Sequence, residues 1–350
     1  MLSIRGGGAG VDRRDQERIK KVSTGVMTAL VILAVIEVGL RISGFERRSG
    51  VEYMRFTFPM DEYNRTAPEP FLVRDPVLFW KPKPRTLGHN SKGVFGPEFE
   101  TTPRPGVFRI VSLGDSCTHF GPGPYPERLA RLLSDLKPNR FEVINAGVIG
   151  YTSYQGLQRL NTDVAEWSPD LITVYFGWND HWIARGYRDS QQARRRFGMA
   201  AVYRAMEPLR IFQAVRTVVE RRLRLVPESG QFRVTPDEFA ANLRDIHSRG
   251  KSLGAQVWFL TAPHALDLGI PPYLLSSGEI SDPSRLLELH QSYTDVVRQV
   301  AKETGAGLVD LQERMDRMDK RDLFMDDHIH LSDRGRTLVA QMLAEQFKNF

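Results

Sequence analysis

Cysteine is almost absent from these 350 residues. The single Cys117 excludes an intrachain disulfide and a cysteine-rich metal site, and it follows Ser116 in a stretch with nothing to favour a thiolate. Histidine is scarce too: beyond Asp326-Asp327-His328-Ile329-His330 there is no second His-rich cluster to supply the distant ligand that catalytic zinc sites usually recruit. Between Asn179 and Thr235 there is no strand signal, and no clear small-x-small cleavage pattern follows the apolar run near the N-terminus. The composition is otherwise ordinary for a folded chain, 41% hydrophobic and 26% charged, at a length that allows one large or two ordinary domains.

The N-terminal 1–21 is a basic, polar head, and 22–44 is an apolar run whose stretch Val26 to Ile36 carries no charge. About 20 apolar residues suit a membrane-crossing helix. A cleaved signal peptide is the rival reading, disfavoured by the missing cleavage pattern. The positive-inside rule puts the head in the cytoplasm and everything after Gly44 outside, which in a bacterium is the periplasm. Glu37 is costly inside a span, but it stands four residues before Arg41, the helical spacing of an ion pair. Residues 45–106, rich in proline and charge, read as a stalk; Phe71, Phe79, Trp80 and Phe95 indicate that part of it packs against the domain C-terminal to it.

From Phe108 strand-like runs alternate with helix-like ones: Arg109 to Leu113, Phe141 to Asn145, Leu171 to Phe176, Val257 to Ala262 and Gly307 to Asp310, with helical stretches such as Pro126 to Leu136 and Ser284 to Thr304 between them. That alternation is the signature of an α/β fold with a parallel sheet covered on both faces. A closing helix from Ser332 to Phe347 has its N-cap in Ser332. Within 107–350 the segment 181–234 stands apart, with twelve arginines against four acidic residues, a net of +8. The whole chain is +6, so the rest sums to −2. Its apolar residues from Met199 to Val226 recur at helical spacing, although Pro208 should break or kink the run. A basic amphipathic helix suits an anionic membrane surface, an acidic glycan or a solvated face on the core. Nucleic acid is a poor partner for a domain outside the cytoplasm.

The chemistry concentrates at strand ends. Ile110-Val-Ser-Leu-Gly114-Asp115-Ser116 reads as a buried strand that delivers a serine at a turn. A serine hydroxyl needs a base, usually a histidine held by a carboxylate, and donors for the oxyanion it creates. Asp327 and His330 supply the carboxylate and base, and Asn145-Ala146-Gly147 and Gly177-Trp178-Asn179-Asp180 offer donors. Each block also has a plainer reading. Gly-Asp-Ser is common turn chemistry, Gly147 a tight turn, Asn179-Asp180 a helix cap, and Asp326, Asp327, His328 and His330 a set of metal ligands.

The order Gly-Asp-Ser, Asn-x-Gly, Gly-x-Asn-Asp and Asp-x-x-His resembles the SGNH or GDSL hydrolase superfamily over roughly Phe108 to Phe350. The resemblance implies a three-layer sandwich on a five-stranded, flavodoxin-like sheet. It implies Ser116 as nucleophile, His330 as base, Asp327 as its orienting partner, and an oxyanion hole from the amides of Ser116 and Gly147 and the Asn179 side chain. No cofactor or metal is called for. The expectation is a membrane-anchored serine esterase acting on an acyl ester such as an acylated glycan. An O-acyltransferase with the same triad is the alternative, and a non-catalytic glycan-binding module the third class.

Overall fold

The structure, a computed structural model, describes residues 13–45, 60–75, 77–119, 121–184, 188–192, 206, 208–222, 230–276, 280 and 282–350. Positions 1–12 of the basic head, 46–59 of the expected stalk, and 193–205 and 223–229 of the arginine-rich segment lie outside the described residues. Two compact units result, Met1–Glu52 with Met199–Val226, and Tyr53–Gly198 with Pro227–Phe350.

In the first unit one helix runs from Arg13 to Ile42, so the end of the basic head and the apolar run are continuous helix. Its stretch Lys20–Ile42 is long and apolar enough to cross a membrane, with its apolar side chains exposed. Glu37 accepts from Arg41 Nε at 2.8 Å and from the backbone N–H of Ile211 at 2.9 Å. Ile211 lies in the first turn of the helix Arg210–Arg222, where backbone N–H groups lack an intrahelical acceptor. That helix begins just past Pro208, whose fixed φ and missing N–H interrupt the apolar periodicity.

The second unit opens with an antiparallel hairpin, β1 (Leu72–Asp75) and β2 (Phe79–Pro82). Then come β3 (Phe108–Gly114), β4 (Phe141–Asn145), β5 (Leu171–Tyr175), β6 (Gln256–Leu260) and β7 (Gly307–Val309). These five form one parallel sheet in the order β4-β3-β5-β6-β7. Counted within that sheet the order is the flavodoxin-like 2-1-3-4-5. Alternate residues along a strand face opposite ways. Val111, Leu113, Ile172, Val174 and Phe259 join the core under the helices Ser153–Thr162, Pro236–Ser252 and Leu286–Thr304. Ile110, Leu171, Tyr175, Leu260 and Val309 join the one under Tyr125–Leu136 and Asp333–Phe347. Helices on both faces make three layers, and the Ser332 side chain caps the last helix by accepting from Gly335 N–H at 3.1 Å.

The proline-rich stretch expected as a stalk is part of this core from Phe71 onward. Phe71, Leu72, Leu78, Phe79, Trp80 and Val94 are buried in the first face's cluster, with Trp80 fully inaccessible. Phe95 pairs with Asn145 at the outer edge of β4, covering an otherwise open sheet edge. The prolines limit regular structure, but not the burial of rings, and truncating a core aromatic to alanine costs about 3–5 kcal/mol. The two ends of the arginine-rich segment are joined despite their missing strand pattern: Ala184 N–H meets Gln231 O at 2.7 Å and Arg233 N–H meets Trp182 O at 2.8 Å. Arg233 is buried there in an ion pair with Asp189 at 3.1 Å.

Candidate active site

β3 ends at Gly114, where nothing larger fits: a Cβ there would lie 2.9 Å from Tyr175 O and collide with Thr118. The chain then turns into the short helix Ser116–His119. Asp115 holds the turn, its buried carboxylate accepting from Cys117 N–H at 2.8 Å and Asn179 Nδ2 at 3.2 Å. Burial pushes Asp115 up to about 6, against the pull of those hydrogen bonds. Ser116 is thereby presented beyond the carboxyl end of the central strands, where open α/β sheets bind ligands.

The loop after Phe324 brings the other two residues to it. Asp327 Oδ1 accepts from the N–H groups of Ile329 at 2.9 Å and His330 at 2.7 Å, and Oδ2 accepts from His330 Nδ1 at 2.6 Å. Burial opposes the charge on Asp327, but these hydrogen bonds outweigh it and hold the carboxyl below its ordinary value. An ionised carboxylate only accepts, so Nδ1 carries a ring proton, and in the neutral imidazole Nε2 then presents a lone pair. That lone pair stands 2.9 Å from Ser116 Oγ, positioned to accept the hydroxyl proton. Leu331 and Arg336 line the same small cleft with Ser116, Cys117 and His330.

Asn179 reaches this corner from the end of β5, one of its amide hydrogens tied to Asp115. Its neighbour Asp180 is buried and accepts from Ser153 N–H at 2.9 Å, Ser153 Oγ at 2.6 Å and Gly177 N–H at 3.1 Å. Gly147 is a correction. Its N–H is taken by Asn145 Oδ1 at 3.0 Å, and a Cβ on it would lie 2.7 Å from His119 N and 2.8 Å from Thr118 Cβ. Gly147 is therefore a close-packing point behind the serine helix. Three residues on, buried Gly150 has φ 77° and its N–H meets no acceptor among the described residues. The peptide groups around it are fixed from afar, Ile149 O by Trp80 Nε1 at 3.0 Å and Gly150 O by Arg233 Nη1 at 2.8 Å. Nothing in the local spacing distinguishes the two glycines; the Asn145 side chain, which takes the Gly147 N–H, does.

Cys117 is buried, its thiol directed toward Ile329 O at 3.9 Å, and burial pushes it well above the usual thiol range, so it is no thiolate. His328, at φ 59°, turns its ring outward to donate to Gly269 O at 2.7 Å. With both His330 nitrogens engaged, the Asp326–His330 cluster does not converge into a ligand set. No group of three or more His, Cys, Asp or Glu side chains placed to hold a metal occurs among the described residues.

The profile of the GDSL-like lipase/acylhydrolase family matches residues 112–338. Among solved structures, the chain is similar to a lipase/acylhydrolase from Enterococcus faecalis (18% identity, TM-score 0.48, covering 69% of this chain and 96% of that one). It is also similar to an acetylxylan esterase from Geobacillus stearothermophilus (20% identity, TM-score 0.44, 69% and 94%). A comparison with curated proteins found no match.

Proposed function

Since the chain belongs to the GDSL-like lipase/acylhydrolase family and is an ester-hydrolysing enzyme, we propose that it works through a Ser116 acyl-enzyme, with His330 as general base and Asp327 as its orienting partner. The observation that carries this reading is the continuous hydrogen-bonded line from Ser116 Oγ to His330 Nε2 (2.9 Å) and from His330 Nδ1 to Asp327 (2.6 Å). Ser116 Oγ attacks the ester carbonyl carbon while His330 takes its proton; the tetrahedral intermediate collapses, and the same proton leaves with the alcohol. Water then repeats the sequence on the acyl-enzyme. The negative oxygen is met by the N–H groups of Ser116 and Gly150 and by the free amide hydrogen of Asn179. Such donors act in a site already arranged for the transition state, which is why each has a large effect on rate.

The helix Arg13–Ile42 anchors the enzyme in the cytoplasmic membrane with the catalytic unit outside, and the substrate is an acylated glycan or similar ester of the cell envelope. The motivating observation is the exposed apolar surface of Lys20–Ile42 behind a basic start. The arginine-rich segment adds a contact to an anionic surface. Turnover of p-nitrophenyl acetate by the full chain, lost in Ser116→Ala, tests the chemistry. A C-terminal reporter active only outside the cytoplasm tests the topology, and residual membrane binding after deletion of residues 1–44, removed by high salt, tests the surface contact. Adding acetylated and unacetylated glycans shows whether water or a glycan hydroxyl receives the acyl group. A silent reporter overturns the orientation.

A further inference from the structure

Gly150 lies in a turn, Val148 to Tyr151, closed by Tyr151 N–H on Val148 O at 3.2 Å. A positive φ at its third residue, 77°, is that of a type II turn, whose middle peptide is rotated by a half-turn relative to type I. The middle peptide here joins Ile149 to Gly150, and its rotation decides which way the Gly150 N–H faces. Its carbonyl, Ile149 O, is bound by the Trp80 indole Nε1–H at 3.0 Å in a buried contact. In a trans peptide the N–H points opposite the C=O, so the Gly150 N–H is directed away from Trp80. The amides before it run along the end of β3: Ala146 N–H bonds Ser112 O and Val148 N–H bonds Gly114 O, two residues further on in each segment. Gly150 follows Val148 by two residues, as Ser116 follows Gly114.

We infer that Trp80 is a positioning residue for the oxyanion hole: its indole N–H holds the Ile149–Gly150 peptide in the rotation that offers the Gly150 N–H to the substrate's carbonyl oxygen. This rests on the esterase reading above. Trp80 lies outside residues 112–338, so the hairpin preceding the family's domain supplies part of the catalytic frame. Trp80 is itself held, with Tyr151 Oη donating to its backbone carbonyl at 2.6 Å, and Arg233, which binds Gly150 O, stands 5.8 Å from its ring centre. Losing the indole N–H leaves a buried carbonyl without a donor, and rotation of that peptide is the relief available.

The test uses the full chain with Trp80→Phe and, separately, with Trp80 replaced by benzothienylalanine, which keeps the bicyclic shape and removes only the N–H. In both, kcat for p-nitrophenyl acetate should fall about 10- to 100-fold while KM holds. Fluorophosphonate labelling should slow by the same factor yet reach completion, because the Ser116–His330 pair is intact. Wild-type kcat in the benzothienylalanine protein, or a loss confined to Trp80→Phe, overturns the assignment and leaves Trp80 a packing residue. A wild-type chain that neither turns over ester nor labels overturns the esterase reading itself, and the positioning role with it.

Discussion

The Asp327–Leu331 loop and the Val148–Tyr151 turn are built by opposite means. The Asp327–Leu331 loop is self-contained: Asp327 binds the amides of Ile329 and His330 and the His330 ring, so one carboxylate both folds the loop and aims the imidazole. The Val148–Tyr151 turn takes its support from Trp80, 69 residues before Ile149, and from Arg233, 83 residues after Gly150. Side-chain chemistry is specified by a few neighbouring residues, whereas the direction of a backbone N–H is specified by packing from distant parts of the chain. The first kind of site survives a change of surroundings; the second depends on them.

Breaking the self-contained loop should have the largest effect. Asp327→Asn leaves the shape but presents an amide to His330 Nδ1, favouring the wrong tautomer, and kcat should fall about 10⁴-fold with the fold retained. Steady-state kinetics beside circular dichroism checks this, and a loss below tenfold would show that His330 is aimed by something else. At the end of β5, Asn179→Ala removes the side chain proposed as an oxyanion donor and should lower kcat about 100- to 1000-fold with KM little changed. If it matches wild type, Asn179 serves only to hold Asp115.

Asp180 sharpens the comparison from beneath, since its carboxylate ties Ser153, just past the turn, to Gly177. Burial, opposed by those hydrogen bonds, raises it from 3.8 to about 7. The folded state thus holds a proton that the unfolded chain releases, so this group's contribution to stability is full below about 3.8 and is lost as pH rises through about 7. Denaturation midpoints of wild type should fall relative to Asp180→Asn over that window; parallel pH profiles would mean Asp180 does not titrate there. The smallest effect should come from the loop's other histidine: His328→Ala and exhaustive chelation should each leave turnover near wild type, as its ring is bonded to Gly269 O. Zinc-restored activity after chelation would bring the metal reading back.

Much of this was legible in the sequence because it is local. Strand and helix periodicities from Phe108 onward match the sheet and its covering helices, and Ser116, Asp327 and His330 stand in short motifs whose residues meet at 2.9 and 2.6 Å. The choice of Gly147 failed for the opposite reason. Gly147 and Gly150 stand three apart in one loop, and only the Asn145 side chain on the Gly147 N–H and the indole on Ile149 O show which N–H is left over. Prolines gave residues 45–106 the look of a stalk with a packed part, and no local pattern announces which elements cover that part. The aromatic residues Phe71, Phe79 and Trp80 were the available signal, and they are in the core.

The most direct measurement is to label the full-length protein in membranes with a fluorophosphonate and map the adduct by peptide mass spectrometry. The adduct should lie on Ser116 alone, vanish in Ser116→Ala, and form far more slowly in His330→Ala. An adduct on any other residue, or labelling that persists in Ser116→Ala, would contradict a serine nucleophile driven by His330 and Asp327.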